Sequence, residues 1–224
     1  MINPLDNPVW SALNETHAAF CLSPDHSIKF YHPRFCPFGA LGPECNVPQS
    51  LSSYAELSAD FFVVGNQPMY TDTVKLKTEL ICEQMILENP VDTSIDENIQ
   101  HLNNKHEDDL IKLVNLVQPG YFREHTPQLG DYYGIYKDEQ LVAVTGERMK
   151  MNAYTEISAV VTHPHYTGQG YAKQLVNYVS NKIFSENKIP FLHVTQTNKG
   201  AIALYHKLGF EIRRQMSFWH FCKS

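Results

Sequence analysis

The stretch Thr162-His163-Pro164-His165-Tyr166-Thr167-Gly168-Gln169-Gly170-Tyr171-Ala172 decides how this chain is read. It follows an apolar strand, Ile157-Ser158-Ala159-Val160-Val161, and opens a helix whose apolar residues Leu175, Val176, Val179 and Ile183 recur at helical spacing. A strand, a glycine turn and a helix in that order make an anion site. Glycine permits close backbone approach, and the first amides of the helix stand unpaired at the positive end of its dipole. Spelling separates the known phosphate loops. A dinucleotide fingerprint requires a third glycine three residues after the second, where this chain has Lys173; a P-loop requires Gly-Lys-Ser/Thr, and here Tyr171 follows Gly170.

A second block stands downstream. The apolar strand Phe191-Leu192-His193-Val194 is followed by Asn198-Lys199-Gly200-Ala201-Ile202-Ala203-Leu204-Tyr205-His206-Lys207-Leu208-Gly209-Phe210. This reads as a short helix opened by Asn198 as N-cap and stopped by Gly209 at C′. Together the two blocks resemble the GNAT N-acetyltransferases. The acetyl-CoA signature Arg/Gln-x-x-Gly-x-Gly/Ala is met by Thr167-Gly168-Gln169-Gly170-Tyr171-Ala172, with the usual proline at Pro164. The block Asn-x-x-Ala-x-x-Leu-Tyr-x-x-x-Gly-Phe is met at Asn198, Ala201, Leu204, Tyr205, Gly209 and Phe210. The departure is Thr167, where the family has Arg or Gln, so pyrophosphate binding would rest on backbone amides and on Lys173. The resemblance covers about residues 105–220.

It implies an α/β GNAT fold: a mixed, mostly antiparallel sheet with flanking helices and a splayed pair of parallel strands. It also implies acetyl transfer from acetyl-CoA, as co-substrate, to a primary amine by direct attack on the thioester. The alternative is a non-catalytic module that holds an acyl-CoA; an enzyme for a longer acyl-CoA is a third reading. The acyl-CoA would lie along the strand ending at Thr162, paired with backbone near Val160, Val161 and Thr162, while amides from Gly168 to Ala172 (Gly168, Gln169, Gly170, Tyr171, Ala172) hold the pyrophosphate and Asn198, Ala201 and Tyr205 of the second block also meet the cofactor. Tyr205 is the family-position candidate for the acid that protonates the departing thiolate; its bland reading is a core aromatic. Glu156 is either the base that takes the ammonium proton or the ion-pair partner of Arg148 on the neighbouring strand. Phe122 and Arg123 fall where the family forms part of its acceptor pocket.

Bulk properties narrow the class. The 224 residues, 43% of them apolar, supply an ordinary core, and the net charge of −6 argues against a nucleic-acid surface. No apolar run reaches membrane-spanning length, and Met1-Ile2-Asn3-Pro4-Leu5-Asp6 lacks the marks of a signal peptide. Five scattered cysteines with no C-x-x-C pair indicate reduced thiols, no metal site and a cytoplasmic protein. The sequence is silent on oligomeric state, although a homodimer is common in such folds.

The organisation divides at about residue 100. In the second part, 101–224, the pattern predicts a helix with Leu110, Leu113, Val114 and Val117 on one face, ended by Pro119-Gly120. Strands follow at 132–136, 141–149, 154–162, 191–195 and 211–221, with helices after the glycine loop and at 199–208. Residues 1–100 read as a small α/β subdomain; the sequence shows no convincing internal repeat, although a degenerate half of the same fold is one reading. There the pattern predicts a helix over 8–21 with Asn7 as N-cap, and a loop across Pro33 to Pro48. It further predicts a brief helix at 54–57, strands at 61–64 and 80–87, and a polar linker over 89–104.

Overall fold

The computed structural model describes residues 3–25, 27–42, 48–91 and 93–224. In chain order the elements are α1 (Pro8–Asn14), β1 (Cys21–Asp25), β2 (Ile28–Tyr31), β3 (Phe38–Leu41), α2 (Pro48–Ala55), β4 (Asp60–Val64), β5 (Val74–Ile86) and β6 (Gln100–Leu102). They continue with α3 (Glu107–Val117), β7 (Tyr132–Lys137), β8 (Gln140–Lys150), β9 (Tyr154–Thr162), α4 (Tyr171–Ser185), β10 (Ile189–Thr195), α5 (Lys199–Lys207) and β11 (Glu211–Lys223). The strands form one eleven-stranded sheet in the order β1-β2-β3-β4-β11-β5-β10-β9-β8-β7-β6. This is the mixed, mostly antiparallel sheet of the GNAT fold, and its parallel pairs are β3·β4 and β9·β10.

The hydrophobic pattern assigns the two faces. On β4, Phe62 and Val64 join the cluster that buries α1, while Phe61 and Val63 join the one that buries α2. Helix α3 contributes Leu110, Leu113 and Val114 to a third cluster with Ala159 and Val161. Helices α4 and α5 cover the opposite face through Leu175, Val176, Val179 and Tyr205. Both layers follow from the period-2 alternation of the strands and the period-3.6 stripes of the helices.

Local chemistry sets the connections in the second half. Asp138 and Glu139, at φ 48° and 63°, form the two-residue turn between β7 and β8, in the left-handed pair that matches strand twist. Helix α5 opens with the Asn198 side chain accepting from the Ala201 amide at 3.1 Å. It closes with the Phe210 amide on the Tyr205 carbonyl and the Gly209 amide on that of His206, a Schellman end.

The first hundred residues depart from their sequence reading. Helix α1 stops at Asn14 because the polar residues after it bond across the fold: Glu15 accepts from the Asn152 amide and the Thr16 hydroxyl donates to the Lys150 carbonyl. The Asn7 side chain does not cap α1; its amide donates to the Leu41 carbonyl at 2.7 Å. The expected loop from Pro33 contains strand β3, and residues 43–47 of it lie outside the described residues. The brief helix is α2, earlier and longer than expected, and β5 extends well before residue 80. The polar linker carries β6, paired with β7, and is strapped to α4 where Gln174 accepts from the amides of Asp96 and Glu97.

The pairing pattern repeats. Along β1-β2-β3-β4-β11 it runs antiparallel, antiparallel, parallel, antiparallel; along β7-β8-β9-β10-β5 it runs the same way. The closing strand of each series comes from the other half of the chain, and β5 and β11 pair with each other along most of their length.

Candidate active site

Strands β9 and β10 are joined by only three pairs, Tyr154 with Ile189, Thr155 with Pro190 and Glu156 with Phe191. Beyond Glu156 they separate, although β9 runs on to Thr162 and β10 to Thr195. On its other edge β9 carries a bulge, since the register with β8 shifts between Val144 and Gly146. Ala159 sits in it at φ 51°, a left-handed conformation that a non-glycine residue holds only under constraint. The bulge changes which way the side chains alternate: Ile157 and Val160 pack toward α4, Ala159 and Val161 toward α3.

A cavity of about 430 Å³ fills the fork. Ser158, Ala159 and Val160 form one lip, His193, Val194 and Thr195 the other. Of the residues expected from sequence to meet the acyl-CoA, Val160, Ala172, Asn198, Ala201 and Tyr205 line it. Val161 and Thr162 lie behind the lip, paired with Val144 and Ala143 of β8. Phe122 lines the cavity; Arg123 does not, and its amide instead donates to the Thr126 hydroxyl at 2.7 Å.

The glycine loop adjoins one end. Gly168 and Gly170 have φ of 80° and 79°, and a Cβ built on either meets nothing within 4 Å, so the space outside the loop is open. The Gln174 amide is the first in α4 to reach a carbonyl, that of Gly170 at 3.2 Å, which leaves the Tyr171, Ala172 and Lys173 amides for a ligand. Thr167 turns its hydroxyl back to the Pro164 carbonyl at 3.2 Å, Lys173 is exposed, and Tyr171 is buried.

The chemistry-bearing side chains have distinct settings. Tyr205 is 6% exposed, and burial alone pushes its phenol up to about 12. Glu156 is fully buried. Its Oε2 accepts from Arg148 Nε and its Oε1 from Arg148 Nη2, both at 2.7 Å, and Oε1 also accepts from His193 Nδ1 at 2.8 Å. Burial would raise its pKa, but the Arg148 charge and hydrogen bonds, helped by His193, outweigh that and hold it at about 2. Of the two sequence readings for Glu156, the ion pair with Arg148 is the one formed.

Two cavity residues, Arg148 and His193, were not read as site residues. The one available signal was a histidine inside the apolar run Phe191–Val194; what it meets comes from other strands. Gln84 donates through Nε2 to the Leu5 carbonyl at 2.9 Å and to His193 Nε2 at 3.2 Å, and its Oε1 accepts from Arg213 Nη1 at 2.9 Å. His193 Nε2 is therefore an acceptor and its proton lies on Nδ1, toward Glu156. Apart from the cavity, Asp131, Glu147 and Glu186 bring carboxylate oxygens within 4.8 Å of one another, and Glu147 is already bonded to Lys150.

Residues 132–219 match the family described as FR47-like protein. The chain has the GNAT-type fold of its structural neighbours. A GNAT-family protein from Novosphingobium aromaticivorans is 28% identical, with a TM-score of 0.88 over 100% of both chains. A GCN5-related N-acetyltransferase-like protein from Streptococcus suis shares the fold at 16% identity and TM-score 0.66, covering 94% of this chain and 92% of its own. A tandem GNAT protein from the clavulanic acid biosynthesis pathway does so at 14% identity and TM-score 0.55, over 86% and 77%. No curated protein matches the chain. The four described cysteines are free, Cys45 lying outside the described residues, and no described helix is long and apolar enough to cross a membrane.

The buried pair predicts an acid-labile, charge-dependent core. Glu156→Gln leaves the Arg148 guanidinium without its counter-charge and should cost about 3–5 kcal/mol of stability at neutral pH. Because the folded carboxylate titrates below its ordinary 4.5, its stabilisation is complete above that value and is lost as pH falls toward 2. Denaturant titrations of both proteins from pH 7 to 3 should show the gap between them narrowing below pH 4.5.

Proposed function

We propose that this protein is an N-acetyltransferase that moves an acetyl group from acetyl-CoA to a primary amine. The observation that supports it best is the fork: β9 and β10 part beside a glycine loop with outward amides, and the Tyr205 phenol, without a hydrogen-bond partner among the described residues, lines the same cavity. In this reading the diphosphate lies on the amides of 168–173 and the pantetheine pairs with the free edge of β9. The bulge at Ala159 turns backbone toward the acyl carbonyl, where a preformed N–H donor stabilises the oxyanion.

The neutral amine attacks the thioester carbon, the carbonyl electrons move to oxygen, and the C–S bond breaks as the carbonyl re-forms. Tyr205, still protonated at neutral pH, gives its proton to the leaving sulfur and regains one from the nitrogen. The products are the amide and free CoA thiol. Glu156 holds Arg148 and His193 in place and does not itself meet the amine, since it is fully buried behind Arg148.

A second reading, a non-catalytic acyl-CoA module, draws on Thr167. Its hydroxyl faces inward, so the loop lacks the side-chain donor that the family's Arg or Gln supplies. Two variants separate the readings. Gly170→Val forces a β-branched residue into the left-handed region and puts its side chain in the ligand's space, so calorimetry should show CoA binding weakened by about tenfold or more. Tyr205→Phe keeps the ring and removes the acidic proton; turnover, followed by thiol release, should fall by roughly 10²-fold with CoA affinity unchanged. Unaltered CoA binding in folded Gly170→Val contradicts the loop assignment. Tight CoA binding by the parent without thiol release over an amine panel supports the module.

A further inference from the structure

The cavity passes through the sheet. Toward α4 and α5 it is walled by Ala172, Ala201, Leu204 and Tyr205; on the other face it opens among Phe38, Leu80, Cys82, Phe122 and Phe218. If acyl-CoA occupies the first side, the acceptor occupies the second, and its lining is informative. Among the described residues no aspartate or glutamate lines the cavity, and Arg148 is the charged side chain that does.

Arg148 is only partly engaged. Its Nε and Nη2 are taken by Glu156, its guanidinium stacks over the Phe38 ring at 4.6 Å, and Nη1 has no acceptor among the described residues. Glu156 stands behind it, fully buried and shared with His193, so the cavity meets a guanidinium edge and not a carboxylate.

We propose that the acceptor is an amine that also carries a carboxylate and an apolar side chain, with the carboxylate on Arg148 Nη1 and the side chain among the aromatic walls. This rests on the acyl-transfer reading above. A carboxylate gives Nη1 a charge-assisted hydrogen bond at a site screened from water. A polyamine or other polycation would lose hydration, face the Arg148 charge and find no acid to replace the water it gave up. A free α-amino acid with an apolar side chain has all three required groups within a small volume.

The test uses the full chain with saturating acetyl-CoA, following thiol release and product mass. L-Leucine, L-methionine and L-phenylalanine are each compared with their decarboxylated amines, and spermidine is included; CoA affinity is measured separately by calorimetry. At least one amino acid should exceed its decarboxylated partner in kcat/KM by about tenfold or more, with spermidine below both. Arg148→Lys keeps the charge beside Glu156 but loses the planar fork, and should raise KM for that amino acid and bring the ratio to within about threefold of unity. Equal or better use of the decarboxylated amines or spermidine overturns the acceptor class and leaves acetyl transfer standing. CoA binding with no transfer to any of these amines overturns the class as well. Absence of CoA binding overturns both readings. A ratio unchanged in folded Arg148→Lys removes Arg148 as the carboxylate partner and overturns the proposal.

Discussion

A hydrogen-bonded polar seam crosses five adjacent strands, and the geometry of the cavity depends on it. Arg148 on β8 holds Glu156 on β9, Glu156 holds His193 on β10, Gln84 on β5 donates to His193, and Arg213 on β11 donates to Gln84 and to Asp6. Glu156 is the last residue of β9 paired to β10, and His193 lies two residues past its partner Phe191. The Glu156–His193 bond therefore ties the fork at its apex, below the point where the backbones diverge. Burying so many polar groups is costly unless they are paired, and apart from Arg148 Nη1 these are paired with one another across strand boundaries. Even the register shift of β11 between Ile212 and Arg214 serves this: Arg213 is the extra residue, and its side chain reaches Gln84.

The repeat of pairing patterns explains how such a fork is supported on the side away from α4 and α5. Each half of the chain supplies the strand that closes the other's series, so the sheet has no seam of weak contacts between residues before and after 100. Phe38, Leu80 and Cys82 come from the first hundred residues and wall a cavity whose lips are β9 and β10. The first half thereby shapes the side of the cavity away from α4 and α5. It repeats the pairing pattern of the second half but has no helix between β4 and β5.

The second half was legible because its signals are local. Caps, the glycine turn, the left-handed hairpin turn and helical stripes each lie within a few residues, and α3, β9 and the ends of α5 follow them closely. The first half hides its strands in short, proline- and glycine-marked segments. β3 is four residues long, and its Gly39 reads as a loop although its missing side chain makes room for the Phe30 ring, 2.1 Å from where a Cβ would stand. In the site, Tyr205 and the loop were found by motif, and Phe122 by its place after α3. Arg148 and His193 could not be found as cavity residues, because their meaning comes from register: the strand order brings β8, β9 and β10 side by side.

If acyl transfer takes place at the fork between β9 and β10, a crystal structure with acetyl-CoA will show the diphosphate within hydrogen-bond distance of the amides of residues 168–173, the thioester between Ala159 and Tyr205, and the acyl group directed toward Arg148. A nucleotide bound elsewhere, with the fork empty or closed by β9–β10 pairing beyond Glu156, would contradict it.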